Sequence, residues 1–237
     1  LLGILGGMAW AAMPALLKTR FNANEILVSL MLVYVAELLL VHLVQGPWRN
    51  PQGWGFPGTR MFPDVALLPM FFPGYRVHLG TLIAVLIPFV IWFVLIRTRF
   101  GFQIRVFGSA PLAARHAGIG NNQMVWTTLL VGGGLAGLAG VMEAASTIGQ
   151  LMPKISPGYG FTAIIVAFLG RLHPVGVLLA GTVIAVTYIG GESAQISAGL
   201  PKAVTGLFQG IILFYLLAFD LLTRYRLTRV GTRGSAA

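Results

Sequence analysis

Leu79-Gly80-Thr81-Leu82-Ile83-Ala84-Val85-Leu86-Ile87-Pro88-Phe89-Val90-Ile91-Trp92-Phe93-Val94-Leu95-Ile96 runs for eighteen residues without a charge and ends against Arg97. As a helix it is about 27 Å long, close to the ~30 Å hydrocarbon core of a bilayer. It is too long and too unalternating for a barrel strand. In lipid, where an unpaired backbone amide costs several kcal/mol, only a helix pairs the amides of such a segment internally. Residues 26–44, 123–145 and 202–222 read in the same way, and 1–16, 157–170 and 175–190 are shorter or interrupted versions. The reading is all-α: a polytopic transmembrane helical bundle of about seven spans, some of them broken helices.

Composition agrees. With 57% hydrophobic and 9% charged residues the chain has too little polar surface for a water-soluble globule of 237 residues. Its mean hydropathy is +0.84. The net charge of +10 could suggest a nucleic-acid partner, but the sixteen Lys and Arg fall between the apolar runs, where membrane topology needs them. The partner they imply is the lipid bilayer, with no nucleic acid. Cysteine is absent, which excludes disulfides and thiolate metal sites. The chain opens inside an apolar run, Leu1-Leu2-Gly3-Ile4-Leu5, and reads as truncated at its N-terminus, with further helices upstream, not as a signal peptide.

The basic residues also set the orientation. If residues 97–122 are cytoplasmic, alternation puts eleven Lys and Arg inside and five outside, as the positive-inside rule requires. The basic tail 223–237 is then cytoplasmic, a topology anchor against anionic lipid. Residues 45–78 become an outer loop dense in proline and glycine, from Gly46-Pro47-Trp48 through Gly53-Trp54-Gly55-Phe56-Pro57-Gly58 to Pro73-Gly74, and should form an ordered, non-helical cap.

Two stretches share a layout. A glycine-rich run (Gly3, Gly6, Gly7), a polar break at 18–25 and a new apolar run recur as Gly132 to Gly140, a break at 149–160 and the run from Phe161. With the first break inside and the second outside, the layout suggests an inverted repeat, in which interrupted helices mark a midplane site. The pairs Gly3/Gly7, Gly133/Gly137 and Gly206/Gly210 each place two glycines on one helix face, where another helix can approach closely.

Chemistry inside the spans is sparse. Of six carboxylates, Glu37 and Glu143 lie deepest, each nearer the outer end of its helix, and an intramembrane carboxylate is a functional candidate because its burial is costly. Neutral groups, Ser29, Thr128, Tyr188, Gln195 and Gln209 among them, could meet a hydroxylated or amide-bearing solute, or equally join helix to helix. Glu37, Glu143, Ser29, Thr128 and Gln195 are taken as candidate pathway residues. The four histidines sit at or beyond span ends with no pair four apart, and no phosphate-binding loop, nucleophile elbow or zinc-protease motif occurs. No catalytic residue, metal or cofactor is expected, and the chain reads as no enzyme.

The stretch after the opening span carries the functional signal. Residues 101–119, read as G-F-x-I-R-x-x-G-x-x-P-x-A-A-R-x-A-G-I, break at Pro111 and continue as a short amphipathic helix. This pattern resembles the cytoplasmic coupling segment of permease subunits in the ribose and branched-chain amino acid group of ABC importers, in its nucleoside and simple-sugar form, with Val106 and Ala110 departing from that form's Ala and Asn. Asn24 to Leu32, Gly46 to Pro51 and Gly158 to Arg171 are similar to stretches of the same subgroup.

The resemblance implies a transmembrane permease domain over 1–222, in a bacterial inner membrane, with the C-terminus cytoplasmic. Its implied partners are ABC ATPase subunits, a second permease subunit and a periplasmic or lipoprotein substrate-binding protein. Gly101, Arg105, Gly108, Pro111, Ala113, Ala114, Arg115 and Gly118 would make the ATPase contact, small residues giving a close fit and the arginines charge complementarity. The implied solute is a nucleoside or simple sugar. A branched-chain amino acid permease and an ion-coupled secondary transporter using Glu37 or Glu143 are the alternatives.

Overall fold

The computed structural model describes residues 1–53, 55–69, 78–156, 158–199, 201 and 203–224, excepting the side chains of 147, 216, 217, 220, 221, 223 and 224. Trp54, the end of the outer loop and the basic tail from 225 onward lie outside the described residues. The regular elements are helical: α1 Leu2–Phe21, α2 Glu25–Gln45, α3 Leu79–Arg97, α4 Arg99–Ser109, α5 Pro111–His116, α6 Asn121–Glu143, α7 Tyr159–Leu169, α8 Pro174–Ala198 and α9 Ala203–Arg224. Each of the seven expected spans falls on a helix. Among the described residues, α1, α2, α3, α6 and α8 are long and apolar enough to cross a membrane, whereas α7 and the apolar part of α9, Ala203–Tyr215, are shorter. At 11 residues, α7 reaches about 16 Å, half a hydrocarbon core.

The chain divides into two compact units, Leu1–Pro157 and Gly158–Ala237. In the first, α1 and α6 form an antiparallel seam built on the glycines that the spacing singled out. A Cβ placed on Gly7 would strike the carbonyl of Gly133 and come within 2.9 Å of Gly137 Cα, and one on Gly137 would strike the carbonyl of Gly3. Backbone therefore lies on backbone, an approach that only glycine permits. The seam ends where Trp126 Nε1 donates to Thr19 Oγ1 at 3.2 Å, and Ala15 and Met124 are buried along it. Gly206 and Gly210 differ: a Cβ on either would meet nothing within 4 Å among the described residues.

The turn from α1 to α2 is short. Asn22 takes the left-handed conformation (φ 51°), Asn24 caps α2 by accepting from Ile26 N, and Lys18 pairs with Glu25 at 2.7 Å. The described residues of the 45–78 loop are largely non-helical beyond the end of α2, with a 3-10 turn at Asp64–Ala66. It is stitched to the segment following α6, where a π turn, Ala144–Ile148, ends in Gly149 at φ 68°. Thr59 N donates to Leu151 O, Phe62 N to Gly149 O and Leu68 N to Ala145 O. Leu151 N returns the contact to Thr59 Oγ1 at 3.0 Å. Proline and glycine prevent helix here, and these bonds supply the partners that the backbone would otherwise lack.

In the second unit α7, α8 and α9 pack together. The α7–α8 turn brings Gly170 against Gly176 and Val177, where an added Cβ on Gly170 would lie 2.7 Å from Val177 Cα. Large apolar side chains face outward in both units, among them Leu38 (70% exposed), Val186 (65%) and Phe214 (69%). Lipid is as apolar as these side chains, so their exposure carries no hydrophobic penalty, and close packing replaces hydrophobic burial in holding helices together.

Candidate functional site

The 97–122 segment is a three-part joint between α3 and α6. Thr98 makes its first corner: its hydroxyl donates to Val94 O at 2.6 Å and accepts from Gly101 N at 3.1 Å, ending α3 and capping α4 with one side chain. Gly101 is buried because the first turn of α4 folds onto the last of α3; an added Cβ would lie 2.5 Å from Leu95 Cα. α4 itself, upstream of Pro111, is a helix that the sequence pattern did not announce. The available signal was Thr98, a capping residue placed just before a helix-length stretch.

Pro111 opens α5 as its first residue, where a missing N–H costs nothing. The helix closes in a Schellman motif, with Ile119 N bonded to Ala114 O and Gly118 N to Arg115 O, both at 3.0 Å. Gly118 holds φ 78°, a conformation costing a residue with a Cβ about 1–2 kcal/mol. The small residues of this segment thus divide. Gly101 and Ala114 are buried and shape the joint, while Arg105, Gly108, Pro111, Ala113, Arg115 and Gly118 are exposed. Ala114, at 0% exposure, faces its own chain in this structure and leaves Gly108, Ala113 and Gly118 as the exposed small residues of the set. Arg115, Gly118, Ile119, Gly120, Asn121 and Asn122 line an open depression of about 420 Å3.

No carboxylate occurs between Asp64 and Glu143, and no salt bridge engages Arg97, Arg99, Arg105 or Arg115 among the described residues. All four of these arginines are exposed.

The pathway candidates are dispersed. In the first unit Glu37 is exposed on α2, Ser29 and Glu143 are half-buried, and no hydrogen bond joins any of these to another among the described residues. Thr128 returns its hydroxyl to Met124 O at 2.7 Å, satisfying its own helix. In the second unit Gln195 lines a cavity of about 300 Å3 with Thr187, Gly191, Thr205 and Phe208, and its Nε2 donates to Thr205 Oγ1 at 3.3 Å.

Apolar helices of membrane-crossing length and a capped, cationic joint between two of them define a multi-pass membrane protein. Residues 1–217 match the family described as branched-chain amino acid transport system, permease component, and the chain belongs to that family. It is 37% identical over 232 residues to a glucose ABC transporter permease protein of Haloferax volcanii, covering 94% of this chain and 61% of the relative. It is 28% identical over 235 residues to a guanosine ABC transporter permease protein of Bacillus subtilis, covering 97% and 66%. A nucleoside ABC transporter permease protein of Lactococcus lactis is 26% identical over 204 residues, covering 81% and 63%. The chain thus spans a little under two-thirds of the length of these curated relatives, all of them transport permeases by name. No solved structure matches.

Proposed function

We propose that this chain is the membrane-spanning part of a permease subunit of an ATP-binding-cassette importer, carrying a nucleoside or simple sugar across the cell membrane, the inner one where there are two. The observation that carries the reading is the 101–119 joint in a chain 37% identical to a glucose permease. The similarity to proteins named ABC transporter permeases supports entry of the energy for uphill transport through a partner ATPase. The joint is tied at one end to α3 by Thr98 and at the other to α6, so a push on α5 reaches two spans at once. A second permease subunit and a periplasmic or lipoprotein binding protein complete the transporter, with residues 97–122 and the tail 223–237 cytoplasmic and 45–78 outside.

The test is uptake by the assembled transporter of labelled guanosine, glucose and leucine, alongside ATP hydrolysis. Guanosine or glucose should enter with ATP and not without it. Entry of leucine alone would overturn the solute class, and uptake without the ATPase would favour an ion-coupled carrier using Glu37 or Glu143. Gly118→Trp should reach the membrane yet separate hydrolysis from uptake, while Gly118→Ala, which carries the backbone strain without the bulk, should retain most coupling. Unmutated uptake by Gly118→Trp would show that this surface is not the ATPase contact.

A further inference from the structure

The end of α3 and the start of α4 form a corner whose depth in a bilayer follows from the length of the span. The uncharged run 79–96 is about one hydrocarbon core long, so Leu95 lies at the core's edge. Gly101 rests on that residue: an added Cβ would meet Leu95 Cα and Leu95 O, both at 2.5 Å. The first turn of α4 therefore stands level with the last turn of α3, where hydrocarbon gives way to headgroups.

On α3, Phe89, Phe93 and Arg97 are spaced by four and share one helix face. Both rings are exposed, and so is Arg97. A face that presents phenyl rings along a membrane span faces lipid, and Arg97 continues that face to the headgroups. Arg99 and Phe102, three residues apart, repeat the pairing on α4. Arg99 is exposed and Phe102 is 58% exposed, while Phe100, Ile104 and Phe107 of the same helix are half-buried. Thr98, bonded to both helices, holds the two arginines on either side of the corner. Neither has a salt bridge among the described residues, and the nearest carboxylates along the chain are Asp64 and Glu143.

We propose that the α3–α4 corner binds the headgroup of an anionic phospholipid: Arg97 and Arg99 take the phosphate, and Phe102 enters the acyl boundary beside it. Guanidinium donors match phosphate oxygens in pairs, while the arginine stems and the phenyl ring lie along apolar surface. Depth favours lipid over an acidic protein groove, because the corner stands at headgroup level and Arg97 extends a face already in lipid. The inference rests on α3 crossing a bilayer and holds whichever solute the permease carries.

Native mass spectrometry of the full chain in neutral detergent, titrated with dioleoylphosphatidylglycerol or dioleoylphosphatidylcholine, measures the apparent Kd of the first lipid bound. Phosphatidylglycerol should bind the more tightly. Arg97→Gln with Arg99→Gln should weaken it about fivefold or more and leave phosphatidylcholine unchanged. Arg97→Lys with Arg99→Lys keeps the charge and should retain most of the preference. Arg49→Gln with Arg60→Gln removes the same charge from exposed positions of the 45–78 loop and should change the Kd less than twofold. Equal weakening by the two glutamine pairs would show a response to net charge alone and overturn the site. So would an unchanged affinity in the Arg97/Arg99 pair, and if that pair lost the partner ATPase instead, the corner would belong to the protein contact. Phe102→Cys carrying a polarity-sensitive fluorophore, in a chain with no other cysteine, should be quenched in nanodiscs by lipid spin-labelled near the top of its acyl chain. Emission as in water would overturn the placement of Phe102. These readouts do not depend on transport, so failure of the site is distinct from failure of the importer reading.

Discussion

Replacing Gly7 by alanine adds one methyl group where backbone already touches backbone. The new Cβ would fall on the Gly133 carbonyl and 2.9 Å from Gly137 Cα, and neither neighbour is the free end of a flexible side chain. The helices must part by about 0.5–1 Å, which forfeits a quarter to a half of each dispersion contact near the site. The seam at risk runs from Gly3 to Thr19 on α1, about 24 Å of helix. Overpacking of this kind costs about 1–3 kcal/mol, or about 2–12 °C in melting temperature for a chain of this size. Gly6→Ala is the matched control, because a Cβ there meets nothing within 4 Å and alanine is the better helix former. Thermal unfolding of the purified protein in lipid nanodiscs, followed by tryptophan fluorescence, should show Gly7→Ala and Gly137→Ala both lowered and Gly6→Ala unchanged or raised. If the three variants melt together, the glycines are not what brings α1 to α6.

Other consequences are as direct. Thr59→Val removes the acceptor of Leu151 N, so the outer cap should loosen by about 1–3 kcal/mol and trypsin should cut at Arg60 sooner, while Thr59→Ser should resist as the unmutated protein does; equal cleavage of all three would mean that the cap is held elsewhere. The chain has no cysteine, so a single introduced thiol reports orientation without background. Ser109→Cys should react with a membrane-impermeant maleimide only after permeabilisation and Gln52→Cys in intact cells; the reverse pattern would put the 101–119 joint outside and end its role as an ATPase contact.

Much of this architecture was legible because the bilayer simplifies the code. An uncharged run such as 79–96 can be little other than a helix when no water is present to take its amides. The glycines of the α1–α6 seam were also readable, since four-residue spacing with no side chains leaves a groove on one face. Yet Gly206 and Gly210 carry the same spacing and have no neighbour on that face among the described residues, so spacing marks a capacity for close approach and does not name the partner. α4 escaped the sequence reading because Gly101, Gly108 and Pro111 look like breakers, while in the structure Gly101 permits the corner and Pro111 starts the next helix. Ala114 looked like part of a docking surface because a small residue suits both a tight interface and a tight interior.

The sequence by itself determined the all-helical membrane class, the place of the proline- and glycine-rich 45–78 loop and the position of the cationic joint, since these depend on local hydropathy, charge and chain-breaking residues. Only the tertiary structure decided that α1 meets α6, that Thr59 pins the cap to Leu151, and that Tyr188 finds Thr162 while Gln209 Nε2 finds no partner among the described residues. Those pairings join residues tens of positions apart or more. Which polar group meets which is set by the angle and depth at which whole helices pack, and no local pattern in the chain carries that information.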